Sequence, residues 1–517
     1  MLIPMRSIPL TGKMVPLRLA SALVLALFLL PAFAQVRLPN VLGSHMVLQR
    51  NRPIHLWGWA GPGESVKVDF HGVLASTTAG DLGHWSVYLP PEQAGGPYKL
   101  IVSSSNTIAL DDILVGDLWF ASGQSNMEIP LLGYPGSATI DNAAAEIHDA
   151  AHPEIRLLRI EKKSSYYPVD DVDGQWTLCT PETAANFSAV AYFFGREIAA
   201  KEHVPVGLID STWGGTVAES WLSLDAISAD ASLMPIFRTW ATMTDGIADT
   251  PAIEAKEARE DAADKAANRP RVWHWHPDPL SWEPAGLYNA MVHPFTPLAI
   301  RGVLWYQGES NSGLDRAAMY QRIFPALIAD WRQHWGEGNF PFLYVQISSF
   351  TSTPYEDWAV IREAQRRTLA VANTAMAVTA DIGNPDNVHP GDKQDVGHRL
   401  ALAARALAYG EHVEYSGPSY RQASVEGDSI HLDFDHAASG LIAKGGALTG
   451  FEIAGADGKF APATANIVAG SVVVSAPGVP NPKYVRYGWR NAPMVNLFNG
   501  AGLPASPFTT EEAIPQP

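Results

Sequence analysis

The sequence predicts an α/β fold: a parallel sheet covered by helices in the middle of a 517-residue chain, with an accessory all-β module built from its N- and C-terminal segments. Three observations carry that prediction. Between residues 111 and 410, short apolar runs alternate with helical stretches, the pattern of parallel strands joined by crossover helices. Before residue 111, Val- and aromatic-rich runs are punctuated by Gly-Pro turns, as in a sandwich. After residue 411 the β-like pattern returns, with turns at Ser439-Gly440 and Asp457-Gly458.

Taken in order, residues 1–34 read as an export signal. Arg6, Lys13 and Arg18 precede or open the apolar run Leu19–Leu30, and Ala32-Phe33-Ala34 has the small-x-small pattern of a cleavage site. The run is shorter than the ~20 residues that span a bilayer, so no stable membrane anchor is expected. The expected location is periplasmic or extracellular. Cys179 is the only cysteine; it cannot form an internal disulfide and reads as buried packing.

The N-terminal β region covers 35–110, with strands read at Val47–Gln49, Ile54–Trp59, Val66–Phe70 and Trp85–Leu89. The central domain covers 111–410. Its strands are expected at Asp117–Ala121, Val206–Ile209, Gly302–Tyr306, Phe342–Ile347 and Ala377–Ala380. Helices are expected at Ser188–Lys201, Ala317–Trp335, Trp358–Val371 and Lys393–Tyr409. In the last of these, Val396, Leu400, Ala403 and Leu407 share one face, and Gly410 is a natural stop. Residues 228–285 interrupt the alternation and read as an insertion, with a polar helix at Ala252–Asn268 before Trp273-His-Trp-His-Pro. The C-terminal β region covers 411–517, and the two β regions are expected to pack as one module.

Composition narrows the partners. Hydrophobic residues make up 47% and charged residues 17%, which is that of a packed globular chain. The net charge is −17 and no Lys/Arg-rich run follows the leader, so nucleic acid is not an expected partner. A neutral substrate is not repelled by such a surface.

Four segments at predicted strand ends carry chemistry. Gly123-Gln-Ser125-Asn-Met follows a strand, so a tight turn presents the Ser125 hydroxyl while free amides at a helix start face an oxyanion. Trp213-Gly214-Gly215-Thr216 lets the backbone approach a substrate closely. Trp305-Tyr-Gln307-Gly-Glu309-Ser-Asn311 places several side-chain amides and a carboxylate at the same edge, where a buried amide can donate to an oxyanion. Asp386-Asn-Val-His389-Pro precedes a helix, where an imidazole points across the sheet edge and a carboxylate three residues earlier fixes its tautomer. Each segment alone also fits a polar turn or a cap. Together they are Ser, Gly, amide and Asp/His, the parts of an acyl-transfer site.

The chain resembles the sialate O-acetylesterase-like group of SGNH hydrolases over nearly its whole length after residue 34. The resemblance is carried by Ser122-Gly-Gln-Ser-Asn-Met127, Trp213-Gly-Gly-Thr216, Leu287-Tyr-Asn-Ala-Met-Val-His-Pro294, Trp305–Asn311, Arg362-Glu-Ala-Gln365, His389-Pro with Arg399-Leu-Ala, and Gly502–Phe508. It implies an SGNH-type sheet and a serine-dependent carbohydrate O-acetylesterase. Ser125 is then the nucleophile and His389 the base, with Asp386 or, alternatively, Asp381 behind it. Gly214, Gly215, Gln307, Asn311 and Glu309 line the oxyanion and substrate site. Neither a metal nor another cofactor is implied. The expected substrate is an acetylated plant hemicellulose oligosaccharide, xyloglucan or xylan, because the blocks around Ser125, Gly214 and Gln307 hold no basic residue for a sialic acid carboxylate. Trp273, Trp275 and Trp282 of the insertion offer aromatic faces for neutral sugars. Sialate 9-O-acetylesterase is the alternative substrate reading, and a non-catalytic glycan-binding protein is the alternative of another class.

Overall fold

The computed structural model describes residues 35–247, 250–267 and 278–515. The export-signal stretch 1–34 and Trp273 to His276 lie outside these residues.

Seven strands form its N-terminal part: β1 (Val47–Gln49), β2 (Ile54–Trp59), β3 (Ser65–Phe70), β4 (Val73–Thr78), β5 (His84–Leu89), β6 (Gly95–Ser103) and β7 (Thr107–Gly123). Strand β7 joins two layers of the molecule. Its first half runs antiparallel to β6, with alternate residues exposed. Its second half, from Ile113 onward, is wholly buried and runs parallel to strands on both sides. The change from alternating to continuous burial marks where one covered face becomes two.

The central sheet adds β8 (His152–Ile160), β9 (Gly174–Cys179), β10 (Val206–Thr212), β11 (Gly302–Tyr306), β12 (Phe342–Val345) and β13 (Thr374–Ala377). The order is β13-β12-β11-β7-β10-β8-β9. Every neighbouring pair is parallel except the edge pair β8–β9. Alternate residues of β7 divide between the faces. Trp119 and Ala121 pack with the helices Ala189–Glu202 and Lys393–Leu407. Leu118 and Phe120 pack with Tyr320–Trp335 and Trp358–Thr368. The fold is therefore the expected α/β class.

Three details differ from the sequence reading. Strand β13 lies three residues before the expected Ala377–Ala380; Thr374-Ala-Met-Ala is poor in β-branched residues, but pairing with β12 defines it. Strand β8 is not among the expected strands; it carries two arginines, Arg156 and Arg159. Arg156 is nonetheless buried, with its guanidinium on Asp112 at 3.0 Å. The two β regions do not build one module either. The N-terminal strands share the core of the central sheet through β7, whereas the C-terminal strands enclose a separate core around Leu432, Val472, Val485 and Phe508.

The C-terminal region still touches the centre at several points, among them Gln346 on Ser506 at 2.8 Å, Arg367 on the Glu511 carbonyl at 2.7 Å, and the loop at Asn491. The Asn491 side chain accepts from the Trp358 amide at 3.0 Å and donates to the Glu356 carbonyl at 3.1 Å. The Asn491 backbone carbonyl accepts from Arg362 and from the Phe350 amide, each at 3.3 Å. Of the insertion, the structure shows helices at Pro235–Ile247 and Thr250–Ala266. No helix among the described residues is long and apolar enough to cross a membrane.

Trp331 is the keystone of one face. It is fully buried, meets Phe120 and Trp305 edge-on at 5.7 and 5.6 Å, and donates its indole N–H to the Trp221 carbonyl at 2.9 Å. Trp331→Ala is expected to lower unfolding stability by ~3–5 kcal/mol, through lost packing and an orphaned carbonyl. Chemical denaturation with an unchanged midpoint would contradict this.

Candidate active site

The loops that follow β7, β10, β11 and β13 leave the same end of the sheet, where ligands of open parallel sheets bind. The turn after β7 is possible only because residue 123 is glycine. Its φ is +131°, and a Cβ there would meet the Tyr306 carbonyl oxygen at 2.2 Å. The chain turns over this carbonyl, to which the Gln124 amide donates at 2.9 Å, and Ser125 opens the short helix Ser125–Glu128.

Ser125 and His389, 264 residues apart in sequence, meet here: His389 Nε2 lies 2.9 Å from Ser125 Oγ. Both line a cavity of about 530 Å³ with Gln124, Glu128, Gly214, Gly215 and Glu309. The Ser125 amide, at the first helical position, has no acceptor, and nor has the Gly215 amide among the described residues. The cavity that holds the hydroxyl is thus lined by two residues whose N–H groups are free.

Glycine at 214 is a matter of space. A Cβ would lie 3.3 Å from Ser125 Cβ and 3.0 Å from the Glu128 carboxylate. The Gly214 N–H donates to that carboxylate and is not free. The Gly215 carbonyl is held by the Trp282 indole at 2.7 Å. Trp282 is therefore buried behind the turn and presents no open face to a sugar.

The structure does not bring the remaining predicted residues to the hydroxyl. Gln307 Nε2 donates to the Asn311 side-chain Oδ1 at 2.6 Å and to the Thr216 backbone carbonyl at 3.1 Å, away from the cavity. Asn311 in turn donates to Glu219 at 2.7 Å and accepts from the Ala218 amide. This buried amide pair fixes the backbone behind the glycine turn. Asp386 is exposed, and no hydrogen bond joins it to His389. Asp381 forms a two-pronged pair with Arg399 at 2.7 and 2.8 Å. Among the described residues, no carboxylate holds the His389 ring.

Three residues next to Ser125 do work that the sequence reading did not assign. The Gln124 side-chain oxygen Oε1 accepts from the Gly308 and Ser310 amides, both at 3.2 Å, and ties the β11 loop to the nucleophile turn. Asn126 donates to Glu309 at 2.6 Å and to the Val388 carbonyl at 3.0 Å, so it holds the residue before His389. Glu128 lies at the cavity wall between the Gly214 amide, Tyr134 Oη at 3.1 Å and Lys162 Nζ at 2.5 Å. The available signal was polarity inside an apolar context: Asn126 and Glu128 flank Met127 and precede Ile129.

The charges around the dyad favour a neutral imidazole. Burial first, and the Lys393 cation second, push the His389 pKa down to about 4, with Glu128 acting in the opposite sense. Burial also raises the Glu309 carboxyl.

Glu128→Ala removes the acceptor that aims the glycine turn and leaves Lys162 unpaired at the cavity. Its kcat for 4-nitrophenyl acetate is expected to fall ~10²-fold, the scale of losing an oxyanion donor, with a smaller change in KM. Wild-type kcat would separate Glu128 from the turn's function.

Known proteins share this arrangement of chain. The family described as carbohydrate esterase, sialic acid-specific acetylesterase, matches residues 270–406. The rat sialate O-acetylesterase is 31% identical over 444 residues, covering 77% of this chain and 79% of the rat protein. The human sialate O-acetylesterase is 32% identical over 425 residues, covering 74% of this chain and 73% of the human protein. The crystal structure of a carbohydrate acetylesterase from Xanthomonas citri superposes with a TM-score of 0.80 at 38% identity, over 92% of this chain and 100% of that one. Likeness of this extent reaches well beyond a shared sheet, and the chain belongs to the sialate O-acetylesterase family, as a carboxylic ester hydrolase.

Proposed function

We propose that this protein is a serine-dependent carbohydrate O-acetylesterase that works through a Ser125–His389 dyad. The observation that carries the reading is the 2.9 Å contact between the two side chains inside a cavity with two free backbone N–H groups. Ser125 Oγ attacks the acetyl carbonyl as His389 Nε2 takes its proton. The carbonyl oxygen, now negative, is met by the Ser125 and Gly215 amides. Collapse breaks the ester bond, the sugar hydroxyl leaves with the proton from His389, and an acetyl-serine is left. Water, activated by the same imidazole, then releases acetate and restores the hydroxyl. The leader-like residues 1–34 support export to the periplasm or beyond.

For the substrate we favour a neutral acetylated glycan such as xyloglucan or xylan oligosaccharide. Arg362 is buried and donates to the Ser348 carbonyl at 2.9 Å, and Arg301 stacks on Tyr409. Neither lines the cavity. Phe350 and Trp358 supply apolar wall. A second cavity, of about 740 Å³ and lined by Gln175, Thr177 and Asn186, shares Lys162 with the first and offers polar groups to the rest of a chain. One observation favours the sialate reading: Lys162 is a basic residue at the site, although Glu128 already pairs with it.

Substrate comparison separates these readings. A higher kcat/KM on acetylated xyloglucan or xylan oligosaccharides than on 9-O-acetyl sialic acid is expected. The reverse order, together with a KM for the sialate raised by Lys162→Ala, would establish the acidic sugar instead. Ser125→Ala and His389→Ala should each lose acetate release by at least ~10³-fold, without additive loss in the double variant. A variant retaining a tenth of the activity would remove that residue from the dyad.

The pH profile follows from the lowered imidazole. His389 accepts a proton only when neutral, and its pKa lies at about 4. Activity is then retained from neutral pH down to about pH 5, and kcat/KM falls as pH drops through about 4. An acid limb near the ordinary histidine value of about 6.5 would contradict the burial argument.

A further inference from the structure

Lys393 is in a costly place. It is the first residue of the helix Lys393–Leu407, at the positive end of the helix dipole, and its side chain is fully buried. Helix formation does not require it, since Asp392 caps the Asp395 amide at 2.9 Å. The ammonium lies 5.4 Å from the Tyr306 ring and donates to Asn126 Oδ1 at 2.5 Å. That bond determines which way the Asn126 amide faces. With its oxygen on the cation, both amide hydrogens go elsewhere, to Glu309 and to the Val388 carbonyl.

We propose that Lys393 is a positioning residue for the catalytic dyad: through Asn126 it locks the Ser125 turn to the Val388–His389 loop, in place of a carboxylate behind the imidazole. The inference rests on the dyad reading given above. Asn126 is adjacent to the nucleophile and holds the residue adjacent to the base, so one oriented amide sets the distance between them. Glu309 balances the cation, because its carboxylate accepts from the same amide. Burial lowers the Lys393 pKa to about 7, while Glu309 and Asp392 favour its charge.

The charge also bears on the base. The ionisable groups around His389 are Glu128, Tyr134 and Lys162 at the cavity wall, Glu309 after β11, Glu356 before the helix Trp358–Thr368, Asp386 on its own loop, and Lys393 with Asp392 at the following helix. Of these, Lys393 acts on the imidazole to keep it neutral. Removing this cation raises the pKa of the base.

Lys393→Met in the full chain is the test, with 4-nitrophenyl acetate as substrate. The expected result is a kcat lowered at least ~30-fold with KM within about threefold, and an acid limb of kcat/KM displaced to higher pH. Asn126→Ala should reproduce the kcat loss, and the double variant should lose no more than the worse single one, because the two residues act in series. If Lys393→Met does not fold, Asn126→Ala alone decides: a large kcat loss at constant KM supports the lock, and wild-type kcat overturns it. A folded Lys393→Met with wild-type kcat and an unmoved acid limb overturns the proposal, as do additive losses. Ser125→Ala and His389→Ala measured in parallel keep the two questions apart. If they are inactive while Lys393→Met is wild-type, only the positioning role fails; if they are active, the dyad itself fails.

Discussion

The close passage of Gly123 over the Tyr306 carbonyl is the constraint on which the site depends. Strand β7 is paired on both sides up to its last residue, to Thr212 in β10 and to Tyr306 in β11. The chain must then leave the sheet without unpairing either neighbour. It does so through a backbone conformation that only glycine adopts readily, at a separation that only glycine permits. The serine hydroxyl is consequently delivered by the sheet itself, and the loops after β10 and β11 emerge on either side of it.

Polar burial around this point is extensive and organised by amides. Gln124, Asn126, Gln307 and Asn311 each use their side-chain amide to tie one loop to another. An amide suits this work because it donates and accepts at once and carries no charge to desolvate. Two of the buried carboxylates are placed against such groups, Glu219 on Asn311 and Glu309 on Asn126. Opposing loops are thus held at fixed separation by neutral groups, and the base is left neutral by burial.

Much of the fold was legible in sequence because the central strands are buried on both faces and read as apolar runs. Ser125 stands out for a related reason, as a polar residue just beyond such a run; His389 follows no run and is marked only by its place before the helix Lys393–Leu407, and the structure sets its Nε2 2.9 Å from the Ser125 hydroxyl. The failures have a common origin in pairing that the local pattern does not show. Asp386 stands at the spacing of an orienting carboxylate, but spacing does not say which way a loop side chain turns, and this one faces solvent. Gln307 follows its strand as expected, yet its side chain points behind the glycine turn. Strand β8, not among the expected strands, carries Arg156, whose charge is neutralised by Asp112, 44 residues away. Trp282 reads as a sugar platform in the sequence and is a buried prop in the structure.

The Asn491 loop gives the C-terminal sheets a stake in substrate handling. Its amide and carbonyl fasten Phe350, Glu356 and Trp358, all of which line the cavity beside Ser125. The sheets are separate in their core but not in their consequences. Exchanging them between relatives would carry a piece of the cavity wall along with them, so substrate preference would be inherited partly from a region that contributes no reacting atom. For the same reason the α/β portion is not a cassette to be transplanted alone: cut free of this loop, it would keep its nucleophile and lose the fastening of the wall that faces it.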